Sequence, residues 1–155
     1  MKTLSVILSF SFSILVLNAI NCQVIWQGGT PGSETKWEEP RNWSNHKVPG
    51  SFDSVIIPDQ ASKGDFYPTI NSEVAPVAHI TIEAGAHLNL NSKGRLTIDG
   101  RNTYNNGITL VGHLYNKGQI DIIEPGLQAV ELLRNARSVG SIAIIDAERN
   151  TLAKH

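Results

Sequence analysis

An all-β fold, built as a short parallel β-helix or β-solenoid with a tryptophan-rich amino-terminal cap, is predicted by three observations. The first is a phrase repeated within residues 79 to 98, where Ile80 and Ile82, Leu88 and Leu90, and Leu96 and Ile98 form apolar pairs that begin eight positions apart. A period of two places both members of a pair on one face of a strand, while Thr81, Asn89 and Thr97 point the other way. The second is a longer echo: Ile120 and Ile122 follow Leu96 and Ile98 by 24 positions, and Ile142 and Ile144 follow by a further 22. The third is that all three tryptophans, Trp26, Trp37 and Trp43, fall in one loop-rich segment before the repeats.

The first 22 residues read as a signal peptide. Lys2 is followed by an apolar run from Leu4 to Leu17 interrupted only by serines, a charged start and apolar middle in the order a secretory leader requires. The run is shorter than the roughly 20 residues of a bilayer span. Cleavage is placed after Cys22, leaving Gln23 first; the competing reading makes Cys22 a lipid-modified residue, although Ala19, Ile20 and Asn21 fit a lipobox poorly. Cys22 is the single cysteine, so an internal disulfide is impossible and an exported chain must rely on packing and hydrogen bonds.

Loss of the leader removes Lys2 and leaves 12 cations against 14 acidic residues, a net charge near −2. No Lys/Arg cluster is present, which argues against a nucleic-acid partner. About 130 residues remain, enough for one domain with a modest core.

Residues 23 to 78 are expected to form the cap and a connecting loop. Each tryptophan can bury roughly 150 to 250 Å2, so three can build a small core among prolines and glycines. Two readings stand side by side: the rings plug the open end of the sheets, which solenoids require, or Trp37 and Trp43 form a stacking platform for sugars. Asn42-Trp43-Ser44 also fits the N-glycosylation pattern. Residues 59 to 78 read as a polar crossing anchored by Phe66, Tyr67 and Ile70.

Taken in order, IWQGG, TKWEEPRNWSN, VPGSFDSVIIP, YPTI and ITIEAGAHLNLNSKGRLTIDG resemble the amino-terminal portion of repeat-rich secreted and surface proteins of Bacteroidetes. The resemblance covers about residues 25 to 122, and a more distant one is to the G8 domain of extracellular proteins. It implies an exported, right-handed β-helix serving as an adhesin-like surface element, and it carries over no catalytic residue.

Residues 79 to 147 are expected to be the repeats. Ile108 and Leu110 lie twelve positions after Leu96 and Ile98, and Gly94, Gly107, Gly118 and Gly140 precede apolar pairs at similar offsets. A coil of 22 to 24 residues suits one turn of a β-helix, whereas a meander of hairpins has no reason to keep so long a period. Asn105, Asn106 and Asn116 read as corner residues, and Thr81, Thr97, Thr109 and Asp121 as outward ones. Residues 126 to 137 read as a degenerate coil, with a short amphipathic helix as the alternative. Ser141 to Ile145 is expected as a last strand and residues 148 to 155 as a frayed tail without a finished cap.

Chemistry is sparse. His79, His87 and Arg95 sit eight residues apart and would form an outward column, readable as part of a metal or anion site but better as a solvated ladder, since Arg95 opposes a cation. Asp53, Asp59, Asp65 and Asp99 fit no recognised calcium loop, and no metal or other cofactor is implied. There is no G-x-S-x-G and no His-Glu-x-x-His, and Gly28-Gly29 lacks the helix of a phosphate cradle. The expectation is a non-catalytic structural or adhesion module, secreted or at the bacterial cell surface, with surface glycans or extracellular proteins as partners. The alternative is a carbohydrate-binding accessory module using Trp37 and Trp43.

Overall fold

The computed structural model describes residues 22–102, 107–123 and 137–145. Of the leader over 1–22 only Cys22 and of the degenerate coil over 126–137 only Arg137 are among them; the corner residues Asn105 and Asn106 and the tail over 148–155 lie outside. Within the described residues the fold is all-β: short strands, three single-turn 3-10 helices and no α-helix. The strands are β1 (Cys22–Ile25), β2 (Asp53–Ile57), β3 (Thr69–Ile70), β4 (His79–Ile82), β5 (His87–Leu90), β6 (Arg95–Asp99), β7 (Ile108–Leu110), β8 (His113–Asn116), β9 (Gln119–Ile123), β10 (Arg137–Ser138) and β11 (Ser141–Ile145).

They assemble into three open sheets. The first has the order β1-β2-β4-β7, the second β10-β8-β5-β3 and the third β11-β9-β6. All pairings between these strands are parallel. Consecutive β4, β5 and β6 therefore lie in three different sheets, which excludes hairpins between them. Parallel neighbours need a long crossover between them, and from β4 to β7 that crossover carries β5 and β6, strands of the other two sheets.

The 24- and 22-residue echoes are true register relations: Leu96 pairs with Ile120 and Ile120 with Ile142. The twelve-residue echo is not. Ile108 pairs with Ile80 in the first sheet, because β7 continues β4 rather than β6. Inward positions stack apolar side chains into columns: Val24, Val55, Ile80 and Ile108 in the first sheet, Leu88 over Leu114 in the second, and Leu96 over Ile120 in the third. These residues are buried in one continuous core. Each fully buried Ile or Leu contributes roughly 1.5–3 kcal/mol relative to exposure.

The ladder begins earlier than the sequence suggests. β2 is in register with β4, β3 with β5, and isolated parallel bridges join Glu73 to Arg95 and Val77 to Ile98. Residues 53 to 77, which include most of the expected polar crossing, thus lay one strand or bridge beside each sheet. Tyr67 and Ile70 are buried as anchors, whereas Phe66 is half-buried.

The corner between the second and third sheets explains the glycines. A Cβ on Gly118 would collide with the Gly94 carbonyl oxygen, and one on Gly140 with that of Gly118. Only glycine allows backbones to approach so closely. Asn116, expected as a corner residue, is the buried last residue of β8. Its Oδ1 accepts from the Gly118 N–H at 2.9 Å, and its Nδ2 donates to Ser138 Oγ at 3.1 Å and the Ser141 carbonyl at 3.0 Å.

Candidate functional site

The tryptophans were one expected site, and their geometry is that of a core. Trp26 continues β1 inward, and Trp43 meets it edge-on with ring centroids 4.8 Å apart, while Trp37 meets Trp43 edge-on at 4.7 Å. Trp26 Nε1 donates to the Phe66 carbonyl and Trp43 Nε1 to the Trp37 carbonyl, both at 2.7 Å. All three residues are 0% exposed. Neither Trp37 nor Trp43 has a free face for a sugar, so the stacking platform is corrected to a buried aromatic core, as edge-to-face packing of large rings favours.

Asn42 holds the loop over this core. Its Oδ1 accepts from the Thr30 N–H at 3.0 Å, and its Nδ2 donates to the Ser33 and Lys36 carbonyls at 2.7 and 3.0 Å. A buried, fully engaged amide cannot carry a glycan in the folded chain, so the Asn42-Trp43-Ser44 pattern is not a modification site there. Cys22, the other expected site, contributes its backbone to β1 opposite Asp53.

The expected column of His79, His87 and Arg95 does not exist. The three residues begin β4, β5 and β6, one in each sheet. His79 is in register with Ser54 and buried. Its Nε2 lies 3.3 Å from Thr109 Oγ1, and burial pushes its pKa down.

What the fold does assemble is an aromatic and imidazole cluster on the outer face of the second sheet. His87 is the register partner of His113, and Asn89 of Tyr115. The His87 and His113 rings stack at 5.3 Å with 25° between planes, and Tyr115 lies 5.6 Å from His87 and 6.0 Å from His113. Tyr67 meets His87 edge-on at 4.5 Å. His113 is exposed; His87 and Tyr115 are half-buried.

Beneath this cluster Tyr67 is firmly tied. Its hydroxyl donates to Asp59 Oδ1 at 2.6 Å, lies 3.2 Å from the Gly85 carbonyl, and accepts from the Gln60 N–H at 3.0 Å. The Tyr67 bond is the main cause holding the Asp59 carboxyl below its usual range, with the Ala61 N–H and the nearby His87 charge adding to it. Burial and the Asp59 bond push the Tyr67 hydroxyl up.

The sequence pointed to His87 but missed His113, Tyr115 and Tyr67. The signal was a 26-residue spacing between HLNL and HLYN, hidden because it differs from the 24-residue rise of the third sheet. The four aspartates of the calcium reading are engaged or scattered: Asp53 accepts from the Gly50 N–H, Asp59 from Tyr67, and Asp99 from Arg101. Among the described residues no group of three or more His, Cys, Asp or Glu converges as a metal cage.

A family model described as a domain of unknown function, DUF8693, matches residues 25–119. No curated protein and no solved structure matches the chain.

Proposed function

The matched model spans more than half of the 155 residues, so the chain belongs to the DUF8693 family, and within it we propose an exported, non-catalytic structural or adhesion module built as a right-handed parallel β-helix. One observation carries this reading: each of the three sheets adds its next strand in parallel register, Ile80 to Ile108, Leu88 to Leu114 and Leu96 to Ile120, in strict rotation along the chain. A winding of this kind is rigid, presents flat outer faces and extends by adding rounds, which suits a surface spacer or contact element.

Two further features support it. Stability comes from ladder hydrogen bonds and stacked apolar columns, a construction that needs no disulfide in an oxidising compartment. The three buried tryptophans share one core with the inward residues of the strands, which supports their reading as a cap. The leader over residues 1–22, with cleavage after Cys22, supplies the route out of the cytoplasm.

Expression of the whole chain in a bacterium, followed by fractionation and mass spectrometry, tests the reading. The expected product starts at Gln23 and is found outside the cytoplasm. An intact cytoplasmic chain overturns export, an acylated Cys22 overturns the cleavage site, and heat-sensitive turnover of polysaccharide substrates by the pure protein overturns the non-catalytic assignment.

A further inference from the structure

We propose that His87 and His113 form a binding site for a borderline divalent transition-metal ion, Zn2+, Ni2+ or Cu2+, on the outer face of the second sheet. Their register pairing sends both side chains to the same side of adjacent strands. At a centroid separation of 5.3 Å and 25° between planes, each ring covers part of its neighbour's face. The nitrogens lie on the ring edges, in the plane of each imidazole. Sugar stacking needs an open ring face, whereas a metal takes the in-plane lone pair of a nitrogen and is the ligand this orientation suits.

The distances are compatible with chelation. Two imidazole nitrogens bound at about 2.0–2.1 Å to a tetrahedral ion stand roughly 3.4 Å from each other. Rings already side by side reach this by tilting their edges together, and exposed His113 is free to do so. His87 is the preplaced partner, backed by Tyr67, which is itself held by Asp59 and the Gln60 backbone. Such support behind one ligand is how protein sites orient an imidazole. Tyr115 flanks both rings.

Two protein ligands leave the remaining coordination positions to water or to a donor from outside the chain. The ion is then exchangeable and plays no part in holding the fold together. This inference stands independently of export or adhesion, since it rests only on the geometry of β5 and β8.

The test uses the full chain purified without a polyhistidine tag and titrated with NiCl2 and with ZnCl2 by calorimetry at about pH 7.5, where free imidazoles are neutral. The expected result is saturable uptake of one equivalent, weakened at least about tenfold in His113→Gln and in His87→Gln and unchanged in His46→Gln. Ring-proton resonances of His87 and His113 should broaden selectively on adding Ni2+. Absence of saturable binding below about 1 mM, or uptake undiminished in both variants, overturns the site. Because His113 is exposed, His113→Gln leaves the fold intact, which its circular dichroism checks.

Discussion

Buried Asn42 satisfies three backbone groups at once, the Thr30 N–H and the Ser33 and Lys36 carbonyls. Its replacement by alanine strands all three near the buried tryptophans. A buried unsatisfied group costs about 1–3 kcal/mol, so Asn42→Ala is expected to lower the urea midpoint by at least that equivalent with the m-value unchanged. Asn42→Asp keeps the acceptor, loses both donors and should fall close to alanine; a midpoint within error of the parent for both variants contradicts this role. His79 carries a pH dependence. Burial lowers its folded pKa below the unfolded value of about 6.5, so the unfolded chain binds the proton more readily. Its contribution is present above about pH 6.5 and is lost as pH falls toward the folded value. Melting temperatures at pH 7.5 and about pH 5 should therefore differ more in the parent than in His79→Gln, and equal differences would dismiss the effect. Neither residue's role was legible from its neighbours in the chain: Asn42 sits in a glycosylation pattern and His79 in an apparent column, and only burial distinguishes them.

At the scale of elements, the corners discriminate between two kinds of glycine. Gly118 has no room for a Cβ beside the Gly94 carbonyl, while Gly32 has open space around it and only a positive φ of 79°. Overpacking of this kind costs about 1–3 kcal/mol or more, because neither backbone can yield without breaking the ladder. The strain of a left-handed alanine is of order 1 kcal/mol. Thermal denaturation of Gly118→Ala and Gly32→Ala is expected to show the larger loss at Gly118, and the reverse order would refute the stacked corner. The tryptophan cap makes a second prediction at this scale: its emission should be blue-shifted and poorly quenched by acrylamide, and Trp43→Ala, which removes the ring between Trp26 and Trp37, should cost about 3–5 kcal/mol. The glycine offsets were visible in the sequence, but Gly107 shared them without joining the Gly94, Gly118 and Gly140 stack. A one-dimensional offset cannot tell a corner from a strand entrance.

Over the whole molecule, protection should follow position in the ladders. β4 and β5 have a hydrogen-bonded neighbour on each side, whereas β1 and β10 end their sheets as described. Native-state hydrogen exchange is expected to be slowest in β4 and β5 and faster in β1 and β10, since local opening begins where fewer contacts must be broken. Uniform protection across all strands would indicate a single cooperative unit rather than sheets whose stability depends on position in the ladder. Far-ultraviolet circular dichroism should be that of β-structure.

Sequence alone determined that the apolar pairs of the strands, Ile80 and Ile82, Leu88 and Leu90, Leu96 and Ile98, face inward. Alternation of Ile, Leu and Val with Thr and Asn is a property of each strand by itself, and Gly and Asn mark corners through their own backbone freedom. Tertiary structure alone decided which strands are neighbours in the first and second sheets; the third was legible in the 24- and 22-residue echoes. The rise between partners is 31, 25 and 28 residues along the first sheet, 20, 26 and 22 along the second, and 24 then 22 along the third, so no single period aligns all three. Register depends on how each corner is folded. That is why His87 meets His113 rather than His79, and why three tryptophans legible as either a plug or a platform are buried together.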